Sequence, residues 1–264
     1  MPYDGAMSGH HGDEPSRGMT LREHLREGPF ALAMSSGFFA FFAHTGFLTV
    51  LEDEGLLPTR ASGSSAGALV MGTWASGLDA PLLARELDQL ERSHFWDPGI
   101  GAGLLRGRLF RERLERLLPS RAFDGCRIPV AVSVFEVRSR RTRVLTSGDL
   151  GAAIQASCAV PLLFHPVAID GRSYLDGGIL DRPGLVGMPD SEARVLFHHI
   201  GSKSAWRTKL EVPKRRGMVT VVLQDLPRSG PFKLEAGREA FRVARAAMKR
   251  ALDVKIKDGL VIAA

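Results

Sequence analysis

The chain has 264 residues, a size that fits one large α/β domain or two small ones, and with 44% hydrophobic and 24% charged residues it has apolar material for a sizeable core. Its two cysteines, Cys126 and Cys158, lie far apart and form no CxxC pair, which excludes a disulfide framework and a cysteine-ligated zinc site and fits a reducing compartment. The formal charge of +6 favours anionic partners such as phospholipid head groups or nucleic acid and specifies neither. No zinc-finger or RNA-recognition signature accompanies it, so no nucleic-acid partner is expected.

Residues 1–28 are polar and carry no apolar run. They are expected to form a flexible arm, with a short helix near 20–26, ahead of a single domain over 29–264. Without a secretory apolar region the expected location is cytoplasmic, with peripheral membrane contact allowed by the charge. Residues 30–51 are apolar enough to raise the question of a membrane span, but they contain Ser35, Ser36, Gly37, His44, Thr45 and Gly46. A buried strand over 30–34, a turn at Gly37 and a helix over 44–54 account for them better. Gly55 and Pro58 then end that helix.

A short strand at 59–61 leads into Gly63-Ser64-Ser65-Ala66-Gly67, and the small apolar run 66–76 reads as a buried helix. Leucines alternating with Arg and Glu make 80–92 and 107–118 amphipathic helices, with a Gly-rich loop over 95–103 between them. Strands are expected at 128–136 and 142–146, a short helix at 149–156, and a strand pair over 165–175 turning at Asp170-Gly171. Strands at 194–198 and 218–223 precede a last helix over 234–252. Strands alternating with helices predict an α/β fold with a mostly parallel sheet covered on both faces.

The segment Gly63–Gly67 fits G-x-S-x-G. Small residues two positions either side of the serine let the chain turn sharply from strand to helix, presenting the hydroxyl at a helix N-terminus. Nearby N–H groups then favour the negative charge of an acyl-transfer intermediate. A serine nucleophile needs a base. His198 and His199 follow Ser65 in the order of a Ser-His-Asp esterase, whereas His94 and His165 are less suitably placed. The stronger partner is Asp176 in Leu175-Asp176-Gly177-Gly178, where Gly177 and Gly178 allow close backbone approach. A partly desolvated carboxylate within hydrogen-bond reach of the hydroxyl can act as the base.

Together these segments resemble the patatin-like phospholipase family. Four blocks occur in the family's order: Met34–Gly46, similar to the glycine-rich oxyanion loop and the helix after it; Gly63–Gly67, the nucleophile elbow; residues 156–167; and Tyr174–Gly178, the D-G-G block. The resemblance covers about residues 30–183. It implies a three-layer α/β/α fold, hydrolysis of lipid acyl esters, Ser65 as nucleophile, Asp176 as general base, an oxyanion hole at Gly37 and Phe38, and no metal or other cofactor. Gly63, Gly67, Gly177 and Gly178 support the motifs. The family's loop usually reads G-G-G-x-[RK]-G, whereas Ala40 stands here at the basic position and Phe41 at the closing glycine. A phenylalanine at positive φ is strained, so the loop is expected to take a different path, and a phosphate contact is lost. That departure keeps a second reading open, an inactive module that binds lipid or a protein partner.

The C-terminal part is basic: Lys203, Arg207, Lys209, Lys214, Arg215 and Arg216 precede Arg238, Arg242, Arg245, Lys249 and Arg250 on the last helix. Phe241, Ala244, Met248 and Leu252 share one face of that helix, with Arg238, Arg242, Arg245 and Lys249 largely on the other. Such a helix either packs on the domain with its charges in water or lies on anionic lipid.

Overall fold

A computed structural model describes residues 18–201 and 212–264. Lys203, Arg207 and Lys209 lie outside the described residues, as does the expected arm before Gly18. The expected helix near 20–26 forms as α1 (Leu21–Arg26), closed by a capping box between Thr20 and Glu23. Leu21 and Leu25 are buried in the main core, and Leu21 N–H donates to the Val254 carbonyl, so this end of the arm is docked.

The apolar segment 30–51 divides as its polar and turn residues require, into β1 (Ala31–Met34), a turn, and α2 (Phe41–Asp53), which Gly55 follows with φ 66°. Then come β2 (Arg60–Ser64), α3 (Ala66–Ala75) and α4 (Ala80–Asp88). β3 (Gly103–Leu105) and α5 (Arg108–Leu117) follow, then β4 (Val130–Glu136), β5 (Arg141–Leu145) and α6 (Leu150–Ser157). β6 (Leu162–Phe164) precedes the hairpin of β7 (Val167–Ile169) and β8 (Arg172–Asp176). Asp170 and Gly171 turn that hairpin with two successive positive φ angles, 48° and 72°, the geometry that matches the strands' twist. The chain ends with β9 (Val195–His199), β10 (Met218–Leu223), α7 (Leu234–Ala251) and β11 (Leu260–Ala263).

Strands β11-β10-β9-β1-β2-β4 lie side by side and all parallel, while β5, β8 and β7 join antiparallel beyond β4. This is the mixed α/β fold with a mostly parallel central sheet that the alternation predicts. β1 shows how the sheet is buried on both faces. Leu32 and Met34 enter the large core shared with the helices, and Ala31 and Ala33 enter a smaller one with Phe197, Met188 and Leu185. No helix among the described residues is long and apolar enough to cross a membrane.

The register around β4 builds the site. β5 occupies one edge of β4 across Val132–Glu136, so β2 and β8 must share the other edge. β2 pairs up to Ser133 and β8, running the opposite way, pairs from Val134. The C-terminal ends of the two strands therefore meet head to head: Ser64 opposite Ser133, Asp176 opposite Val134. Whatever follows Ser64 is delivered next to Asp176.

α7 packs on α2 through two glycines that allow close approach. A Cβ on Gly46 would lie 2.4 Å from the Phe241 carbonyl oxygen, and one on Gly237 would lie 2.4 Å from the Phe42 ring. Ala244, Met248 and Leu252 are fully buried beneath it. Three of the four cations expected on the outer face have carboxylate partners: Arg238 with Glu235, Arg242 with Glu239 at 3.2 Å, and Arg245 with Asp53 at 2.8 Å.

Candidate active site

Ser65 is the junction of β2 and α3, with φ 50° and ψ −118°, a conformation a non-glycine residue adopts only when its surroundings enforce it. The enforcement is visible at both flanking glycines. A Cβ on Gly67 would sit 2.1 Å from the Met34 carbonyl oxygen at the end of β1, and one on Gly63 would sit 2.5 Å from the Gly67 carbonyl carbon. Ser65 N–H donates to Ser157 Oγ at 2.8 Å, and that hydroxyl donates onward to the Ser133 carbonyl at 2.6 Å. The Cys158 thiol donates to the Ser65 carbonyl at 3.3 Å, and burial together with the nearby Asp176 carboxylate holds that thiol well above its ordinary pKa. The elbow is thus anchored to β1, β4 and the end of α6.

Ser65 Oγ donates to Asp176 Oδ2 at 2.7 Å. The other carboxylate oxygen accepts from Gly178 N–H at 2.7 Å, which fixes the plane of the group. Both residues are buried, Ser65 to 9% and Asp176 to 7% exposure. Burial raises the Asp176 pKa from 3.8 to about 6, the hydrogen bonds from Ser65 and Gly178 offsetting part of the shift. Gly177 and Gly178 are required by space, since a Cβ on the first would lie 2.1 Å from the Ser133 carbonyl oxygen and one on the second 2.7 Å from Ser36 Oγ.

Ser36 brings the third segment to the same place. Its N–H donates to the Arg182 carbonyl at 2.7 Å, in the segment that follows Gly178. Gly37 and Phe38 come next, and among the described residues neither N–H has a partner within the chain. The loop avoids a positive φ at Phe41, which opens α2, and the positive φ falls on Phe39, at 55°. Ala40 N–H turns back to the Gly37 carbonyl at 3.0 Å, closing the turn directly ahead of α2. Of the four phenylalanines here, Phe42 is core, Phe39 and Phe41 are half-buried against the core, and Phe38 is 57% exposed.

No described histidine bonds Ser65. His198 is fully buried and its Nδ1 faces His44 Nδ1 at 2.9 Å. His165 bonds the Gly103 carbonyl, and His94 meets Glu91 N–H and Arg113. His199 bears its shift downward to about 4 from burial and the neighbouring Arg182 charge. A cleft of about 320 Å³ between α4 and α7, lined by Phe42, Leu87, Asp88 and Phe241, contains none of these groups.

Sequence reasoning missed Asp181. Its buried carboxylate accepts from Ser133 Oγ at 2.6 Å and from the N–H groups of Gly184, Leu185 and Val186 at 3.0–3.1 Å. It organises the segment whose Arg182 carbonyl holds Ser36. Its place five residues after Asp176 was the only signal.

The fold has solved counterparts. VipD from Legionella pneumophila superposes with a TM-score of 0.63 at 15% identity, covering 85% of this chain and 67% of that one. A mixed α/β core with a serine elbow facing an aspartate is therefore set on a known architecture. The patatin-like phospholipase profile matches residues 32–185, more than half of the sequence, and the chain belongs to that family. An uncharacterized NTE family protein of Mycobacterium tuberculosis is 34% identical over 154 residues, 57% of this chain and 43% of its own length. Lysophospholipase NTE1 of Yarrowia lipolytica is 23% identical over 173 residues, 63% of this chain and 12% of its own length. The chain thus spans less than half the length of these curated relatives.

Proposed function

We propose that the chain is a serine hydrolase of lipid acyl esters, with Ser65 as nucleophile and Asp176 as general base. The observation that carries this reading is the 2.7 Å hydrogen bond from Ser65 Oγ to a buried Asp176 carboxylate. Ser65 Oγ attacks the ester carbonyl carbon while its proton passes to Asp176. The carbonyl oxygen becomes an oxyanion, which the Gly37 and Phe38 N–H groups stabilise together with the α3 N-terminus. The intermediate collapses, the C–O bond to the alcohol breaks, and the alcohol leaves with the proton from Asp176. Water then attacks acyl-Ser65, giving its proton to Asp176, and the serine is restored as the fatty acid departs. The family supplies the lipid class of substrate, and the charge of +6 supports access from an anionic lipid surface.

A fluorophosphonate probe followed by mass spectrometry tests the nucleophile. The label is expected on Ser65 and absent from Ser65→Ala. A label on Ser64, or none on the wild-type protein, would overturn the reading, and the second result would favour the inactive binding module.

A further inference from the structure

Phe38, next to the Ser36–Gly37 turn, is 57% exposed, and the segment that approaches it carries a second exposed phenylalanine. A Cβ built on Gly230 would stand 3.6 Å from the Phe38 ring, and Ser229 Oγ donates to the Phe39 carbonyl at 3.0 Å. Two residues on, Phe232 is 68% exposed and its ring meets Trp96 edge-on at 5.3 Å. The Arg92 guanidinium sits 4.9 Å from the Phe232 centroid and 5.5 Å from that of Trp96. Lys233 follows in the chain and is exposed. Among the described residues neither Arg92 nor Lys233 pairs with a carboxylate, in contrast to the three partnered arginines of α7.

We infer that this patch, Phe38, Trp96 and Phe232 with Arg92 and Lys233, is the surface by which the protein docks on a bilayer containing anionic lipid. The inference rests on the proposed lipid-ester activity for its orientation, since the patch adjoins the turn beside Ser65 and Asp176. Its chemistry carries the choice of occupant. The Phe38 and Phe232 rings are exposed, whereas Trp96 is half-buried against the core and backs Phe232; exposed rings lose unfavourable hydration when they enter the acyl boundary. A cation stacked on those rings stays at headgroup level, where its stem is apolar and its charge meets phosphate. Two unpaired cations add attraction to an anionic leaflet. A symmetric contact between two copies would press this patch against itself, bringing four cations and no patch carboxylate into one interface, which like-charge repulsion opposes.

Co-sedimentation with phosphatidylcholine vesicles, with and without phosphatidylglycerol, tests the patch. Phe232→Ser is expected to weaken binding to both vesicles by about tenfold, the scale of one exposed phenylalanine buried at an interface, whereas Phe232→Trp retains it. Arg92→Glu with Lys233→Glu is expected to weaken only the anionic case and to remove its salt dependence. Both sets should turn over a monomeric short-chain ester as wild type does. Arg245→Glu, which breaks the Asp53 pair, should leave vesicle binding unchanged. Ser65→Ala should bind vesicles like wild type, so loss of the hydrolase reading and loss of the docking surface give different results. The inference is overturned if Phe232→Ser and the double reversal bind both vesicles as wild type does. It is equally overturned if Arg245→Glu alone weakens binding, or if Phe232→Ser dissociates an oligomer without changing vesicle binding.

Discussion

His44 and His198 meet Nδ1 to Nδ1 at 2.9 Å in the core, and the contact dictates the proton on each ring. His44 Nε2 lies 2.8 Å from the Ser35 carbonyl oxygen, which can only accept, so that nitrogen is the donor. Neutral His44 then accepts at Nδ1, and His198 must donate there, leaving its own Nε2 bare and buried. Burial lowers the His44 pKa to about 4 and takes His198 well below its ordinary value. The pair stands beneath Ser35, whose next residues form the turn at Gly37.

The sign of its pH effect follows. Both rings are neutral when folded and can bind protons near pH 6.5 when unfolded, so the unfolded state binds more protons in between. Stability contributed by the pair is full above about pH 6.5 and is lost as pH falls toward about 4. Urea unfolding of His198→Asn against wild type should show a stability gap that narrows over that window. A gap independent of pH would mean that His198 is not held neutral.

Asp176 has the opposite sign. Its folded pKa of about 6 exceeds the ordinary 3.8, so the carboxylate costs stability once both are ionised. The stability it lends below about pH 4 is lost as pH rises to about 6. Asp176→Asn, a mimic of the protonated acid, should therefore melt at or above the wild-type temperature at pH 8, with the difference vanishing near pH 4. A variant less stable than wild type at pH 8 would show that the carboxylate is a structural anchor.

On the proposed mechanism the same group would set the rate profile. If Asp176 accepts the Ser65 proton, turnover of a soluble ester should fall as pH drops through about 6 and level off above it. Asp176→Asn should lower the plateau by at least about a hundredfold, while folded His199→Ala keeps most of the activity. A profile set near pH 4, or a dead His199→Ala beside an active Asp176→Asn, would move the base to a histidine.

The legible parts of this site are those written locally. Ser65 announces itself because the elbow needs small residues at 63 and 67, and Asp176 because two glycines must pass close to Ser133 and Ser36. What joins them is not local. The head-to-head meeting of β2 and β8 depends on which edge of β4 each strand takes, and no spacing in the sequence encodes that. Three-residue strands such as β3 and β6 are too short for periodicity to register. The face of α7 read as cationic is largely neutralised, partly by Asp53, an acid 192 residues away. Asp181 escaped notice for the same reason, since its partner Ser133 is 48 residues distant.

That carboxylate supports the last prediction. Asp181 Oδ1 accepts from Gly184 and Leu185 N–H, and Oδ2 accepts from Val186 N–H and Ser133 Oγ. An asparagine can keep Oδ1 for the first two donors and turn its NH2 toward Ser133, whose hydroxyl can accept instead. Val186 N–H then faces a donor and is left unpaired, at a cost of about 1–3 kcal/mol. Asp181→Ala removes all four acceptor contacts and should cost more. Because Arg182 holds Ser36 from the same segment, loosening it should displace the Gly37–Phe38 N–H groups while leaving Ser65 and Asp176 in place. Asp181→Asn should therefore show a lower urea midpoint and a lower kcat on a soluble ester, with KM little changed. Fluorophosphonate labelling of Ser65 should slow in step with kcat, since both reactions place negative charge at the same donors. A variant that loses stability yet keeps kcat would confine Asp181 to holding the fold.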